Sequence, residues 1–239
     1  MNKFEKAQEI VKNYGQEHLL KFYDNLEKGK QEELLDQILE TDFELLKKLY
    51  ENINVQEEHK DEITPIPYVD KSKMTEEELE KYRKIGEEEI KKNKYAIVTM
   101  AGGKGTRLGH NGPKGTFVLG IEPPKSLFEI FTSKLKDIKE KYGVAIPWYL
   151  MTSKENNSET IEFFEKNNYF GYPKEDVKFF MQGEIPMVDK KGKILLTEEG
   201  LIKQAANGHG GVFESMFKNN IVDDMKARGV EWVFVGILM

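Results

Sequence analysis

The sequence predicts an α/β protein in which a mostly parallel β-sheet is flanked by helices and preceded by an all-helical domain. In residues 1–92, apolar side chains recur every three to four positions between charged ones, which is typical of packed amphipathic helices. After residue 93, short β-rich apolar runs alternate with helical stretches, which indicates βαβ units. We therefore predict two domains, residues 1–92 and residues 93–239.

Helix starts in the first domain are predicted from capping signals. A threonine followed three positions later by glutamate can cap backbone amides reciprocally, and this pattern occurs at Thr41 with Glu44 and at Thr75 with Glu78. The segment 64–67, Thr-Pro-Ile-Pro, predicts an extended connector, because proline lacks an amide hydrogen and restricts the residue before it.

The second domain is predicted from the alternation of its elements. Strands are predicted at residues 95–100, 145–151, 177–181 and 232–239. Helices are predicted at residues 126–142, 155–166 and 212–228. Between two short apolar runs, Lys190-Lys191-Gly192 predicts a hairpin turn.

Composition excludes several classes of protein. A formal net charge of -6 argues against a sequence-independent nucleic-acid binder, which needs a basic surface. The absence of cysteine excludes disulfides, thiolate metal sites and cysteine nucleophiles. No apolar run resembles a signal peptide or a membrane span. These features predict a cytoplasmic protein that binds neither nucleic acid nor membrane.

A glycine-rich segment, residues 100–109, follows the strand predicted at residues 95–100. In α/β proteins, ligands bind at this carboxyl end of the sheet. Glycines allow the backbone to approach a ligand closely, and consecutive amides in such a turn form a nest for phosphate oxygens. Arg107 and Lys114 add fixed positive charge nearby. The segment therefore predicts a phosphate-binding loop, although a purely structural turn is the alternative at this point.

Two other glycine-rich motifs fail on spacing. A P-loop requires glycine before Lys-Ser or Lys-Thr, and this pair does not occur after glycine here. A dinucleotide fingerprint counted from Gly103 places Leu108 where the third glycine belongs. If the ligand is a nucleoside triphosphate, the loop suits an in-line attack on the α-phosphorus, which mainly requires positioned reactants and neutralised charge. Magnesium normally bridges such phosphates.

Residues 101–109, followed by Pro113-Lys114-Gly115, resemble the signature loop of eukaryotic-type UDP-N-acetylhexosamine pyrophosphorylases and their UDP-glucose relatives. The resemblance continues through residues 15–20, 146–153, 179–183 and 192–196, and so spans nearly the whole chain. It implies a Rossmann-like nucleotide-diphospho-sugar transferase fold. It also implies a Mg²⁺-assisted reaction of UTP with a hexose 1-phosphate that yields a UDP-sugar and pyrophosphate.

The resemblance also implies residue roles. Backbone groups would hold UTP at Met100, Ala101, Gly102 and Gly103. Arg107 and Lys114 would carry the catalytic charge. Gln182 would recognise the uracil edge, because an amide offers a donor and an acceptor together. In a second glycine-rich turn, residues 207–211, Gly208 would contact the nucleotide and His209 the sugar.

His209 leaves the sugar open. The N-acetylhexosamine branch usually has asparagine at this position, whereas histidine is typical of the UDP-glucose branch. More of the chain resembles the N-acetylhexosamine branch, so N-acetylglucosamine 1-phosphate is the expected substrate and glucose 1-phosphate the alternative. A nucleotide-binding protein without turnover and a helical interaction protein remain as further alternatives.

The resemblance further implies that the chain is the N-terminal half of such an enzyme. The family's metal-binding aspartate is expected beyond residue 239, so no metal ligand is predicted within the chain. The last predicted strand is strongly apolar, and a chain that stopped there would expose apolar surface and an unpaired edge. We therefore expect the chain alone to be inactive.

Overall fold

The computed structural model describes residues 1–53 and 64–238 and divides the chain into two units. The first unit comprises Met1–Pro65 and Glu184–Ala206, and the second comprises Ile66–Gly183 and Asn207–Met239. This division differs from the boundary predicted at residues 92 and 93. Residues 66–92 belong with the sheet, and residues 184–206 belong with the N-terminal helices.

The helices and strands are numbered along the chain. The α-helices are α1 (Lys3–Asn13), α2 (Lys28–Glu40), α3 (Phe43–Asn52), α4 (Glu76–Lys91), α5 (Leu127–Tyr142), α6 (Asn157–Lys166), α7 (Val212–Lys218) and α8 (Ile221–Ala227). The strands are β1 (Tyr95–Met100), β2 (Val118–Leu119), β3 (Lys125–Ser126), β4 (Trp148–Thr152), β5 (Val177–Met181), β6 (Glu184–Pro186), β7 (Gln204–Ala206) and β8 (Trp232–Ile237). No helix in the described part of the chain combines the length and apolar character needed to cross a membrane.

The first unit is not purely helical. Helices α1 to α3 form the predicted helical N-terminus, and β6 pairs with β7 in an antiparallel hairpin. The predicted turn at residues 190–192 is confirmed, with Gly192 at a positive φ of 74°. Ile194 and Ile202 from the hairpin are buried in the same core as Leu34 and Ile38 of α2. The hairpin therefore belongs to this unit because it supplies apolar side chains to the helical core.

The second unit contains the predicted parallel sheet. Its four strands lie in the order β5-β4-β1-β8, and every neighbouring pair is parallel. Strand β4 is buried throughout, as expected for a parallel strand covered on both faces. Trp148 and Leu150 pack with Phe128 and Phe164 in one core, while Tyr149 packs on the opposite face with residues of α7 and α8. The α/β fold class is confirmed.

Two local predictions were wrong. Asp42, rather than Thr41, caps α3 by accepting a hydrogen bond from the Leu45 amide, and the Thr41 hydroxyl instead donates to the Gln37 carbonyl. The helix predicted at residues 212–228 is broken into α7 and α8, because Asn220 adopts a left-handed conformation with φ 57°. Asparagine tolerates that conformation better than most residues. The capping box of Thr75 and Glu78 is confirmed at the start of α4.

The strand order creates a switch point. Strands β4 and β5 lie on one side of β1, whereas β8 lies on the other. In open α/β sheets, ligands bind outside the carboxyl ends of the strands where the order reverses. Strand β8 lies at one end of the described sheet, and Trp232, Val233, Phe234 and Ile237 are exposed. Met239, the last residue of the predicted strand, lies outside the described residues.

Candidate functional site

The glycine-rich loop leaves the carboxyl end of β1 and folds back on itself. The Gly105 amide donates to the Gly112 carbonyl at 3.0 Å, and the Lys114 amide donates to the Gly103 carbonyl at 3.0 Å. Gly109 has a φ of 68°, which favours glycine for steric reasons. These bonds hold the backbone of Lys114 beside Gly103 and place the loop at the switch point of the sheet.

Asn156 fastens this loop to the neighbouring strand. Its side chain is buried, its Nδ2 donates to the Ala101 carbonyl at 3.1 Å, and its Oδ1 accepts from the Ser153 amide at 2.8 Å. The loop after β4 is thereby tied to the loop after β1. Asn156 was not among the predicted site residues; its position at the start of the helix predicted at residues 155–166 was the available signal.

Gln182 faces the first glycines of the loop. The backbone N–H of Gln182 donates to the Thr152 carbonyl, and this bond fixes the residue just beyond the end of β5. A Cβ placed on Gly102 would lie 3.0 Å from the Gln182 Oε1 and 3.2 Å from its Nε2. Gly102 and Gln182, both predicted nucleotide contacts, are therefore brought together, and the absence of a Cβ on Gly102 makes this approach possible.

The second glycine-rich turn lies beside Gln182. The backbone N–H of Asn207 donates to the Gly183 carbonyl at 3.1 Å, and the backbone N–H of Gly183 donates to the Ser215 hydroxyl at 3.0 Å. Gly208 follows with φ 85° and ψ 170°, a conformation essentially restricted to glycine. His209 is exposed at the start of a short 3₁₀ turn. Gly208 and His209 therefore follow directly on Asn207, whose backbone is hydrogen-bonded to Gly183.

Arg107 and Lys114 have no acidic partner among the residues that the structure describes. Arg107 is exposed in the 3₁₀ turn Thr106–Leu108, and Lys114 is half-buried at the start of a second turn. By contrast, Lys104 in the same loop pairs with Glu155 at 2.8 Å. The two predicted catalytic cations are thus available to an anionic ligand.

His110 supports the loop from inside, a role that the sequence analysis did not assign to it. The Thr116 hydroxyl donates to the Pro113 carbonyl at 2.8 Å, so it accepts from the His110 Nε2 at 2.7 Å. A Cβ on Gly105 would lie 2.7 Å from the Cβ of His110. Gly105 is therefore needed for this packing, and the histidine helps to fix the loop that carries Arg107.

The described part of the chain contains no cluster of metal-binding side chains. Across residues 1–53 and 64–238, no three His, Cys, Asp or Glu side chains cluster closely enough to hold an ion. Two buried side-chain oxygens lack a hydrogen-bond partner, Ser153 Oγ after β4 and Asn207 Oδ1 before Gly208. Buried polar atoms without partners are unfavourable. The described residues therefore do not fit a protein-held metal.

Fold and site together define an α/β protein with a glycine-rich loop at the switch point of a parallel sheet. The model of the UTP–glucose-1-phosphate uridylyltransferase family matches residues 41–238, and the chain belongs to that family. This confirms the resemblance found in the sequence.

Curated relatives point to one branch. The probable UDP-N-acetylglucosamine pyrophosphorylase of Schizosaccharomyces pombe is 34% identical over 238 residues, which cover 92% of this chain and 49% of the relative. The UDP-N-acetylglucosamine pyrophosphorylase of Saccharomyces cerevisiae is 36% identical over 180 residues, which cover 73% of this chain and 38% of the relative. The chain spans about half the length or less of these relatives.

Solved structures agree with the family. The uridine diphosphate N-acetylglucosamine pyrophosphorylase of Trypanosoma brucei, solved with an inhibitor, matches 100% of this chain and 51% of its own chain, with a TM-score of 0.77 and 27% identity. A putative UDP-N-acetylglucosamine pyrophosphorylase of Entamoeba histolytica matches 66% of this chain and 42% of its own, with a TM-score of 0.64 and 36% identity.

Proposed function

We propose that the protein is a uridylyltransferase that forms a UDP-sugar and pyrophosphate from UTP and a hexose 1-phosphate, with N-acetylglucosamine 1-phosphate as the sugar substrate. The observation that carries this proposal is the glycine-rich loop, which lies against Gln182 and presents Arg107 and Lys114 without acidic partners among the described residues. The names of the relatives from S. pombe and S. cerevisiae support the choice of sugar.

In this proposal, the backbone of residues 100–103 binds UTP and Gln182 selects its base. The uracil edge presents an N–H donor between two carbonyl acceptors. A glutamine amide can accept from the N–H and donate to a carbonyl at the same time. Gly102 and Gly103 have no side chain to keep the base away from the backbone. Gly208, which follows Asn207 in the turn bonded to Gly183, would also contact the nucleotide.

Arg107 and Lys114 would act on the phosphates. A phosphate oxygen of the sugar 1-phosphate attacks the α-phosphorus of UTP, and the bond to the bridging oxygen breaks as pyrophosphate leaves. Both reactants are anions, so the barrier falls when fixed cations hold them together and neutralise the charge that develops on the leaving group. A guanidinium can bind two phosphate oxygens at once, whereas an ammonium acts as a compact charge.

We further propose that Mg²⁺ accompanies UTP as a counter-ion of its phosphates. The described residues supply no metal-binding cluster, so none of the roles given above depends on the ion. We also place the protein in the cytoplasm, which is supported by the absence of cysteine from the sequence.

The alternative substrate is glucose 1-phosphate. It is favoured by His209, the proposed sugar contact, because histidine at this position is typical of the UDP-glucose branch. The name of the family also refers to glucose 1-phosphate. The two sugars differ at the acetamido group, so the discrimination is a measurable ratio of kcat/KM values.

The test is pyrophosphate release by the full-length protein with UTP and Mg²⁺, comparing the two sugar phosphates. Preference for N-acetylglucosamine 1-phosphate supports the proposal, and preference for glucose 1-phosphate makes His209 the better guide to the sugar. Arg107→Ala is the control for release from this site. If folded protein binds UTP but releases no pyrophosphate with either sugar, the transferase proposal is contradicted and a nucleotide-binding role replaces it.

A further inference from the structure

A cavity lies entirely within the first unit. It has a volume of about 300 Å³ and lies between the end of α1, helix α3 and the hairpin turn at Gly192. This volume is at the lower end of the range for small-molecule sites. We propose that this cavity binds a phosphate-bearing ligand with a planar ring, of the mononucleotide class. The proposal does not depend on the function proposed for the glycine-rich loop.

The walls of the cavity are fixed by contacts between residues far apart in the sequence. The Gln16 side chain donates to the Gly192 carbonyl at 2.9 Å and accepts from the Ile194 amide at 3.0 Å. The Tyr50 hydroxyl donates to the Lys190 carbonyl at 2.9 Å. A cavity held in this way is largely formed before a ligand arrives, so binding requires little ordering of the chain.

The charge lining the cavity is positive, although the chain as a whole carries a net charge of -6. Lys47, Lys191 and Lys193 line it, and no Asp or Glu does so among the residues that the structure describes. The Lys193 ammonium donates to the Gly15 carbonyl. The Lys47 Nζ lies 3.9 Å from the Glu51 Oε1, which is long for an ion pair, and both side chains are solvent-exposed. Lys191 has no ion pair with any described carboxylate.

The nearest acidic side chain on the turn is already engaged. Asp189 Oδ1 accepts from the backbone amides of Lys191 and Lys193, and these hydrogen bonds hold the pKa of Asp189 below its usual value. The carboxylate therefore stabilises the turn, and the ammonium groups of Lys47 and Lys191 are left for an external anion. An ammonium binds phosphate as a compact charge.

Aromatic rings complete the site. Tyr14 is partly exposed and stacks on the buried Phe43, with ring centroids 5.3 Å apart and planes inclined by 21°. The Tyr50 ring packs against the turn, within 3.0 Å of a Cβ placed on Gly192. A planar ring can stack on Tyr14 while its phosphate reaches Lys47 or Lys191. Stacking tolerates different bases because every base has a π-face.

The experiment titrates UMP and AMP into the 239-residue chain carrying Arg107→Ala and Lys114→Ala, which silence the loop site. We expect both nucleotides to bind with similar affinity, and more tightly than inorganic phosphate or uridine alone. In this background, Lys47→Ala with Lys191→Ala should weaken binding about tenfold or more. Lys190→Ala is the matched control, because its side chain lies on the same turn but does not line the cavity; it should leave the affinity unchanged.

Three results would overturn the proposal. The first is no binding of UMP or AMP by folded protein. The second is equal loss of binding in Lys190→Ala and in the Lys47 and Lys191 double variant, which would indicate a diffuse charge effect. The third is inorganic phosphate binding as tightly as UMP, which would show that the rings contribute nothing. Loss of UTP binding at the loop alone would leave the result for this cavity unaffected, so the two sites are tested separately.

Discussion

The side-chain amide of Gln182 lies against the backbone of Gly102, with Oε1 3.0 Å and Nε2 3.2 Å from the position that a Cβ would occupy. Gly102 follows β1 and Gln182 follows β5, and β4 separates the two strands in the sheet. The contact therefore connects two loops at the carboxyl edge of the sheet, and it sets the distance between the glycine-rich loop and the proposed base-selecting amide.

Gly102→Ala should displace the Gln182 amide and lower UTP affinity by about tenfold, since a shift of a few tenths of an ångström misplaces a hydrogen-bonding group. The measurement is calorimetric titration with UTP. Gly120→Ala is the control, because a Cβ there meets nothing within 4 Å. In a double-mutant cycle, Gly102→Ala should cost much less when combined with Gln182→Ala. Additive losses would show that the two residues act independently.

Gln182→Ala should narrow the preference for UTP over CTP. Loss of the amide removes the donor and acceptor proposed to read the uracil edge, while the phosphate contacts remain. Competition between the two nucleotides for the chain measures the ratio directly. An unchanged UTP to CTP ratio, with a general loss of affinity, would contradict the assignment of Gln182 as the base-selecting residue.

Arg107→Ala should weaken UTP binding by about tenfold or more and reduce its dependence on salt, because one fixed charge near the phosphates is lost. The free energy of unfolding of the Arg107→Ala variant should differ by less than about 0.5 kcal/mol from that of the unaltered chain. The reason is that the Arg107 side chain is exposed and has no acidic partner among the described residues. Chemical denaturation checks the second point. A large loss of stability would instead indicate a structural role for Arg107.

Asn156→Ala should destabilise the chain by about 1–3 kcal/mol, because it leaves the buried Ala101 carbonyl and Ser153 amide without their partner. Amide hydrogen exchange should accelerate in residues 101–114, and UTP affinity should fall with it. Ser158→Ala is the control, because Ser158 is exposed in the first turn of α6, the helix that Asn156 precedes. Unchanged exchange in the glycine-rich loop would show that Asn156 does not position it.

Asp224 is surrounded by donors in the second unit. Its Oδ1 lies 2.5 Å from the Lys178 Nζ, and its Oδ2 accepts from the Tyr149 hydroxyl at 2.7 Å and from the Arg228 Nε at 3.1 Å. Burial opposes ionisation, but these hydrogen bonds and positive charges outweigh it and hold the pKa of Asp224 below its ordinary value of 3.8. The ionised form is therefore stabilised by folding.

The sign of the pH dependence follows from that shift. A carboxylate with a lowered pKa in the folded state contributes stability above its unfolded value of 3.8 and loses it as pH falls through the lower folded value. Asp224→Asn should therefore lower the free energy of unfolding by about 1–3 kcal/mol near pH 7 and by much less near pH 3. Asp223→Asn, an exposed neighbour, is the control. A loss that stays constant with pH would contradict this account.

Much of the fold could be predicted, because local periodicity distinguishes helices from strands. The same periodicity does not show which core an element joins. Helix α4 is amphipathic like its predecessors but belongs with the sheet, and residues 184–206 return to the helical unit through Ile194 and Ile202. The break between α7 and α8 also escaped the sequence analysis, because it depends on the backbone conformation of Asn220.

The candidate site could also be predicted only in part from the sequence. The glycine-rich loop is a continuous string, so its composition and its position after β1 were readable. Gln182 and Gly208 were found only through the resemblance, because nothing local distinguishes a strand-end glutamine or a turn glycine from a structural one. Asn156 and His110 were missed because their roles consist of contacts with Ala101 and Thr116, which the sequence does not display.

The central claim is that the glycine-rich loop with Arg107 and Lys114 binds UTP. It is tested most directly by titrating UTP and CTP into the folded chain and into its Arg107→Ala, Lys114→Ala double variant. The account predicts saturable binding that prefers UTP over CTP, and this preference is lost in the double variant, where only the base-tolerant binding proposed for the cavity of the first unit remains. Equal affinity of the unaltered chain for UTP and CTP, a preference for UTP that survives removal of the two cations, or no binding by folded protein would contradict it.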